Sequence, residues 1–267
     1  MKKTFIDQLG RTVMLKYPPK RIISLVPSQS ELLFDLGLNE EVIGITKFCI
    51  HPIDKFAACT KVGGTKKLNI DIIRALNPDL IIGNKEENTR GEIELLMKEF
   101  PVWMSDISNL EDSMRTITEI GGLVDRAPEA AYLNHLILAG FGDLQSLAIT
   151  KNINKRVAYI IWKDPYLFAG STTFIDDILK KIGLTNIVKQ SRYPEMSLSQ
   201  LQIQKPELIF LSSEPYPFKE KHIEEIKSAL PNTKVMLVDG EMFSWYGSRL
   251  VKAINYLFHL QDELVIS

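Results

Sequence analysis

The stretch from Glu129 to Ile149, EAAYLNHLILAGFGDLQSLAI, decides how the rest of the chain is read. It follows Pro128, a residue tolerated in the first turn of a helix, and places Ala130, Leu133, Leu136, Ile137, Phe141, Leu144 and Leu147 at helical spacing. A helix of that length is a rod of about 30 Å, comparable to the width of a domain. Gly140 and Gly142 oppose it by about 1 kcal/mol each relative to alanine. Two roles are open to such a rod: an ordinary packing helix, or a stiff connector between two lobes. The connector gains weight from the flanking sequence, because the halves on either side look like copies of one another.

Upstream, Phe5 to Leu15 alternates around Gln8-Leu9-Gly10-Arg11 as a small hairpin does. Arg21 to Val26 reads as a buried strand, Pro27 to Ser30 as a turn with a serine cap, and Glu31 to Leu36 as a short helix closed by Gly37. Strands over Val42–Thr46, Leu80–Ile82 and Val102–Met104 alternate with helices over Ile70–Leu76, capped by Asn69, Glu92–Phe100 and Leu110–Val124. Such alternation predicts a parallel sheet. Downstream, Arg156 to Ile161 opens the second half as a strand, and a helix over Asp177–Ile182 closes on Gly183-Leu184 as the first closes on Gly37-Leu38. Asn69-Ile70-Asp71 through Asn77-Pro78-Asp79-Leu80-Ile81 lies opposite Ser197-Leu198-Ser199 through Lys205-Pro206-Glu207-Leu208-Ile209, with cap, proline, acid and strand in one register. An internal duplication is the economical explanation. Val235–Val238 adds a strand and Leu250–Leu260 a closing helix. The predicted fold class is therefore α/β: two duplicated parallel-sheet lobes joined by a long rigid linking helix, with a ligand cleft between the lobes. The expected division is an N-terminal lobe over residues 1–111, linking helices over 112–150 and a C-terminal lobe over 151–267.

With 267 residues, 45% hydrophobic and 24% charged, the chain has the composition of a soluble globular protein. A net charge of −1 with the two signs interleaved leaves no basic footprint for nucleic acid and no polybasic membrane patch. Cys49 and Cys59 are too few for a disulfide framework, and no cysteine and histidine cluster reads as structural zinc. The N-terminal MKKTFIDQLGRTVMLKYPPK has no apolar core of a signal peptide, and no run has the length of a transmembrane segment.

Ligands of open parallel sheets sit beyond the carboxyl ends of the strands. In the first lobe those loops hold Ser28, Phe48, His51, Thr65, Lys66 and Asn84; in the second they hold Trp162, Tyr193, Trp245, Tyr246 and Arg249. The second set also carries Tyr166, Phe168, Tyr216, Phe218 and Phe243, and aromatic bodies with polar tips suit a large, flat, partly apolar ligand. Some of these rings are equally able to fold back as loop anchors. There is no GxGxxG, P-loop or HExxH, and Ala169-Gly170-Ser171-Thr172 lacks the closing glycine of a nucleophile elbow. His51, His135, His222 and His259 are too scattered to hold a bare cation. His51, beside Cys49, is open to two roles: an axial bond to a metal already held in a macrocycle, or a surface or capping group. Arg249 is open to two as well, gripping a carboxylate or phosphate or pairing with a neighbouring loop.

Taken together, Arg21-Ile22-Ile23-Ser24-Leu25-Val26-Pro27-Ser28, Val62-Gly63-Gly64-Thr65, Asn77-Pro78-Asp79-Leu80-Ile81, the long linker and Trp245-Tyr246-Gly247-Ser248-Arg249 resemble class III substrate-binding proteins. These are the helical-backbone, two-lobed receptors of ABC importers for cobalamin, iron-siderophores and haem. The resemblance runs from about Thr4 to Leu260, and Ser24–Ser28 with the Phe48–Pro52 loop is most similar to the cobalamin-binding branch. It implies that Phe48 is that branch's first-lobe aromatic, Tyr193 a second-lobe ring and Arg249 a late arginine near the ligand. Thr65 and Asn84 stand where a branch member carries tryptophans. It further implies a permease partner docked through one acid per lobe: Asp71 in the first, and in the second, where Ser199 holds the duplicate position, the nearest acid Glu195. The expected function is thus a non-enzymatic receptor without intrinsic cofactor that captures a corrinoid or related metal-chelate for ABC-type import. The alternatives are an iron-siderophore or haem receptor, or a cytoplasmic tetrapyrrole-handling enzyme or chaperone using His51 and Cys49. By resemblance the protein is periplasmic or extracytoplasmic, and cytoplasmic if its N-terminus is native.

Overall fold

The structure is a computed structural model and describes residues 1–266. The first alternating stretch gives β1 (Lys2–Ile6) and β2 (Thr12–Lys16), an antiparallel pair. Their turn is fixed by Asp7, whose Oδ1 accepts the backbone N–H groups of Leu9 and Arg11 at 3.0 and 2.9 Å. The chain then alternates through β3 (Ile22–Ser24), α1 (Pro27–Asp35), β4 (Val42–Ile45), α2 (Ile53–Ala58), β5 (Thr60–Lys61), α3 (Ile70–Leu76), β6 (Leu80–Asn84), α4 (Arg90–Leu96) and β7 (Val102–Ser105). The last five strands to be named form a parallel sheet in the order β5-β4-β3-β6-β7. The central strands β3 and β6 are buried on both faces, which is why they read as unbroken apolar runs. Ile23, Leu25, Ile73, Ile81, Leu96 and Met104 belong to the core on one side of it.

Next come α5 (Leu110–Leu123) and α6 (Ala127–Thr150). Gly121 permits their close approach, since a Cβ there would lie 2.4 Å from that of Ala130. The stretch that opened the sequence reading is one continuous helix of 24 residues, begun two residues earlier than expected. Both internal glycines are accommodated, Gly140 for a packing reason: a Cβ would meet Ile254 Cδ1 at 2.4 Å.

The second half runs β8 (Arg156–Trp162), β9 (Leu167–Phe168), α7 (Phe174–Lys181), β10 (Thr185–Asn186), α8 (Leu198–Ile203), β11 (Leu208–Ser212), α9 (Glu220–Ala229), β12 (Lys234–Val238), α10 (Glu241–Ser244) and α11 (Arg249–Ile266). Its sheet has the parallel order β10-β8-β11-β12, with β9 antiparallel on β8. Ala158, Ile160, Leu201, Ile209, Leu211 and Ile226 belong to its core. The chain divides into two compact units, one of residues 1–107, 111–135 and 246–249, the other of 108–110, 136–245 and 250–267.

The duplication extends to backbone detail. Asn77 and Lys205 both adopt left-handed conformations, with φ of 44° and 48°, as each chain turns out of its helix toward Pro78 or Pro206. Asp79 and Glu207 then donate their N–H groups to Arg21 O and Arg156 O at 2.8 and 2.9 Å. Their carboxylates accept Lys20 N–H and Arg156 N–H at 2.7 and 2.9 Å. Arg21 and Arg156 complete the corner by donating Nη2 to carbonyls at the helix ends, those of Leu76 and of the capping residue Gln204. Free carbonyls at a helix end are stabilised by such a cation.

The N-terminus of α1 differs from expectation. The helix starts at Pro27, whose missing N–H costs nothing in the first turn, and Val26 caps it without a side-chain bond. Ser30 lies inside the helix and donates to Val26 O at 3.0 Å. Helix α9 carries its buried apolar residues at Ile223 and Ile226 within the charged sequence EKHIEEIKSA, too narrow a stripe to stand out by periodicity.

Candidate functional site

In the first unit the chain enters the sheet at β3, moves outward through β4 and β5, and returns on the other side to β6 and β7. Strand order therefore reverses between β3 and β6, and the crevice beyond their carboxyl ends is where such sheets take ligands. The second sheet repeats this, reversing between β8 and β11.

At the first reversal lies a buried polar network. Asn84 donates Nδ2 to Ser105 Oγ at 2.9 Å, while its Oδ1 accepts Glu86 N–H and Glu87 N–H at 2.8 and 3.1 Å. Asn88 bridges Leu25 O and Thr65 O at 3.2 and 3.1 Å, and Gln29 donates to Ser105 Oγ at 2.5 Å. Tyr246, returning from the far end of the sequence, is buried with Ser28 and Ser105 among its neighbours, and burial pushes its phenol well above the usual range. Arg249 is 4% exposed and donates Nε at 2.8 Å to Glu31 Oε2, a carboxylate of helix α1 rather than of a neighbouring loop. Ser28, Asn84, Tyr246 and Arg249 are thus held in the interior of the unit.

Phe48, His51 and Lys66 lie outward of that network. Phe48 is 50% exposed beside Gly64, where a Cβ would meet its ring at 3.0 Å, and Lys47 Nζ lies 5.1 Å from the ring centroid. His51 is half-buried, Lys66 is exposed and donates to Glu86 O, and Thr65 is buried beneath them. Lys47, Phe48 and the run from Gly63 to Asp71 line a groove of about 680 Å³. Burial pushes the Glu87 carboxyl up, against an opposing pull from Lys66. Cys49 is fully buried with its thiol against Ser30 Oγ and Thr46 Oγ1, and burial raises its pKa, an environment that disfavours the thiolate. Asp71 projects from the first turn of α3 with its side chain 94% exposed.

In the second unit the aromatic loops divide into anchors and exposed rings. Phe168, Phe218 and Phe243 are buried. Trp245 is buried too, donating Nε1 to Glu214 Oε1 at 2.9 Å. Trp162 is 39% exposed at the end of β8, with Tyr216 edge-on at 5.6 Å and Phe218 behind Tyr216 at 4.7 Å. Tyr193 is half-buried under the Arg192 guanidinium, 5.7 Å from the ring centroid. Glu195 and Ser199 are exposed on the approach to α8 and in its first turn. Sequence reasoning passed over Glu87 and Glu214, which burial pushes up from the usual carboxylate range. Their position was the available signal, within three residues of the ends of the duplicated strands β6 and β11. No group of three or more His, Cys, Asp or Glu able to hold a metal ion exists among the described residues.

Two duplicated parallel α/β units with loops of this kind define a two-lobed substrate-binding protein. The chain belongs to the periplasmic binding protein family, whose model matches residues 22–232. It is 24% identical over 267 residues, 95% of this chain and 83% of the other, to the uncharacterized ABC transporter substrate-binding lipoprotein YvrC of Bacillus subtilis strain 168. It is 25% identical to the vitamin B12-binding protein of Vibrio campbellii over 73% of this chain and 71% of that one. Among solved structures it is similar to the periplasmic vitamin B12 binding protein BtuF of Vibrio cholerae, with a TM-score of 0.79, 21% identity and coverage of 92% and 98%. A periplasmic heme binding protein from Pseudomonas aeruginosa gives a TM-score of 0.80, 20% identity and coverage of 93% and 94%. The chain is accordingly a binding protein rather than an enzyme, and what it binds is a ligand rather than a resident cofactor.

Proposed function

We propose that the protein is the substrate-binding component of an ABC importer and captures a corrinoid with the loops at the carboxyl ends of its two sheets. The observation that carries this reading is the pair of exposed, buttressed rings, Phe48 in one unit and Trp162 in the other. Flat aromatic faces stabilise a large macrocycle by apolar burial and stacking. The B12-binding names of relatives at about this distance point the same way. Tyr193, His51 and Lys66 complete the ligand-facing set, and Ser28, Thr65, Asn84, Trp245, Tyr246 and Arg249 hold its loops. Asp71 and Glu195 are the proposed permease contacts, and delivery to a permease places the protein outside the cytoplasmic membrane. Among the described residues no helix is long and apolar enough to cross a membrane.

Haem or a ferric chelate is the second reading, favoured by His51, an imidazole in the same loop as Phe48 and the right chemistry for an axial bond to iron or cobalt. Titration of the purified protein with cyanocobalamin, dicyano-cobinamide and haemin, read by calorimetry and by the macrocycle absorption bands, decides between them. One corrinoid bound per chain supports the first reading. Haemin binding alone, with a Soret shift lost in His51→Ala, supports the second, and neither ligand binding to folded protein ends both.

A further inference from the structure

Within the second unit, the loop after β11 carries a built carboxylate site that the function above does not use. Glu214 Oε1 accepts two hydrogen bonds, from Ser244 Oγ and from Trp245 Nε1, both at 2.9 Å. Gly240 makes room for this: a Cβ there would stand 2.6 Å from Glu214 Cγ and 2.5 Å from Ser212 Oγ. The Gly240 N–H is itself tied to Ser213 Oγ at 2.9 Å, so the start of α10 is fixed against the Glu214 loop. No protein donor reaches Glu214 Oε2 among the described residues.

We propose that Glu214 is a positioning and specificity residue: one carboxylate oxygen fixes the edge of the Trp245 indole, and the other selects a ligand rimmed with N–H donors over one rimmed with carboxylates. The selection rests on the reading that these loops hold a metal macrocycle. A carboxamide N–H arriving at Oε2 gains a charge-assisted hydrogen bond, whereas an arriving carboxylate meets a like charge with no cation from the protein on that oxygen. The charged groups acting on Glu214 are Glu241 and Asp239, both negative, and Tyr159 on β8 senses it in turn. Burial raises its carboxyl first of all; the hydrogen bonds from Ser244 and Trp245 oppose this, and the two acidic neighbours add to it.

The positioning is tested without ligand. The indole N–H proton resonance of Trp245, assigned by its loss in Trp245→Phe, is followed with pH in the wild-type protein and in Glu214→Gln. It is expected to move in the wild type with a midpoint above the ordinary glutamate value, and to be displaced and stationary in the variant. A wild-type resonance that stays still through the acidic range overturns the positioning, and this arm needs no substitution of Glu214. Selection is read by titrating both proteins at mildly alkaline pH with cyanocobalamin, an amide-rimmed macrocycle, and haemin, a carboxylate-rimmed one. The ratio of the two affinities is expected to shift toward haemin in Glu214→Gln by roughly tenfold or more. An unchanged ratio with both ligands binding overturns the selection and leaves the proposed function standing. A wild-type protein that binds neither overturns that function and the selection together, while the indole titration still decides the positioning.

Discussion

Arg249 and Glu31 are 218 positions apart in sequence, yet their side chains are only 5% and 2% exposed and share one ion pair. A buried charge without its partner retains its desolvation cost, so Arg249→Met is expected to destabilise the protein by about 3–5 kcal/mol in urea unfolding. Adding Glu31→Leu removes the carboxylate whose charge Arg249 no longer offsets and should recover most of that loss. A single substitution worth no more than a surface pair, or a double variant worse than the single, would contradict the geometry. No local pattern in the sequence announces a partner that far away, so both roles of Arg249 stayed open there. Phe48 and Trp162 stand out locally, because each ring falls just past the end of a predicted strand, and both are partly exposed. Their substitution by alanine is expected to weaken corrinoid binding by roughly ten- to a hundredfold each, read by calorimetry. Unchanged affinity in both would remove these loops from the site.

At the scale of elements, α6 separates helix propensity from packing. Gly142 has no atom within 4 Å of an added Cβ, whereas Gly140 faces Ile254 at 2.4 Å. Gly142→Ala is therefore expected to stabilise by about 0.5–1 kcal/mol through propensity alone. Gly140→Ala gains the same propensity but forces Ile254 aside, and overpacking of this kind costs about 1–3 kcal/mol, so the net change is destabilising. Thermal unfolding of the two variants checks the sign of each, and equal shifts would refute the packing role of Gly140. The helix was legible because its apolar spacing persists for several turns, and α3 was legible to the residue through its Asn69 cap. What escaped were elements with little periodicity: β5, β9 and β10 at two residues each, and α2, which buries none of its residues. The duplicated arginine corners escaped for another reason, since Arg21 and Arg156 read locally as ordinary strand-entry residues and their carbonyl partners come from other elements.

For the whole molecule, the path of the chain matters more than the inventory of elements. Each unit borrows from the other half of the sequence: residues 246–249 belong to the first, and residues 108–110 to the second. A fragment of residues 1–135 therefore lacks Tyr246 and Arg249 and takes the Arg249 guanidinium away from the buried Glu31. Such a fragment is expected to lose cooperative thermal unfolding by circular dichroism; a sharp transition near that of the full chain would refute this. Cys49 and Cys59 carry a different consequence. At 0% and 9% exposure, both with pKa values raised by burial, they should be silent to a thiol reagent in the folded protein and react as two equivalents once it is denatured. The native chain is then already a blank background for site-specific labelling: one cysteine introduced in place of an exposed side chain beside Trp162 would take a fluorophore alone, turning the protein into an optical reporter of its own ligand.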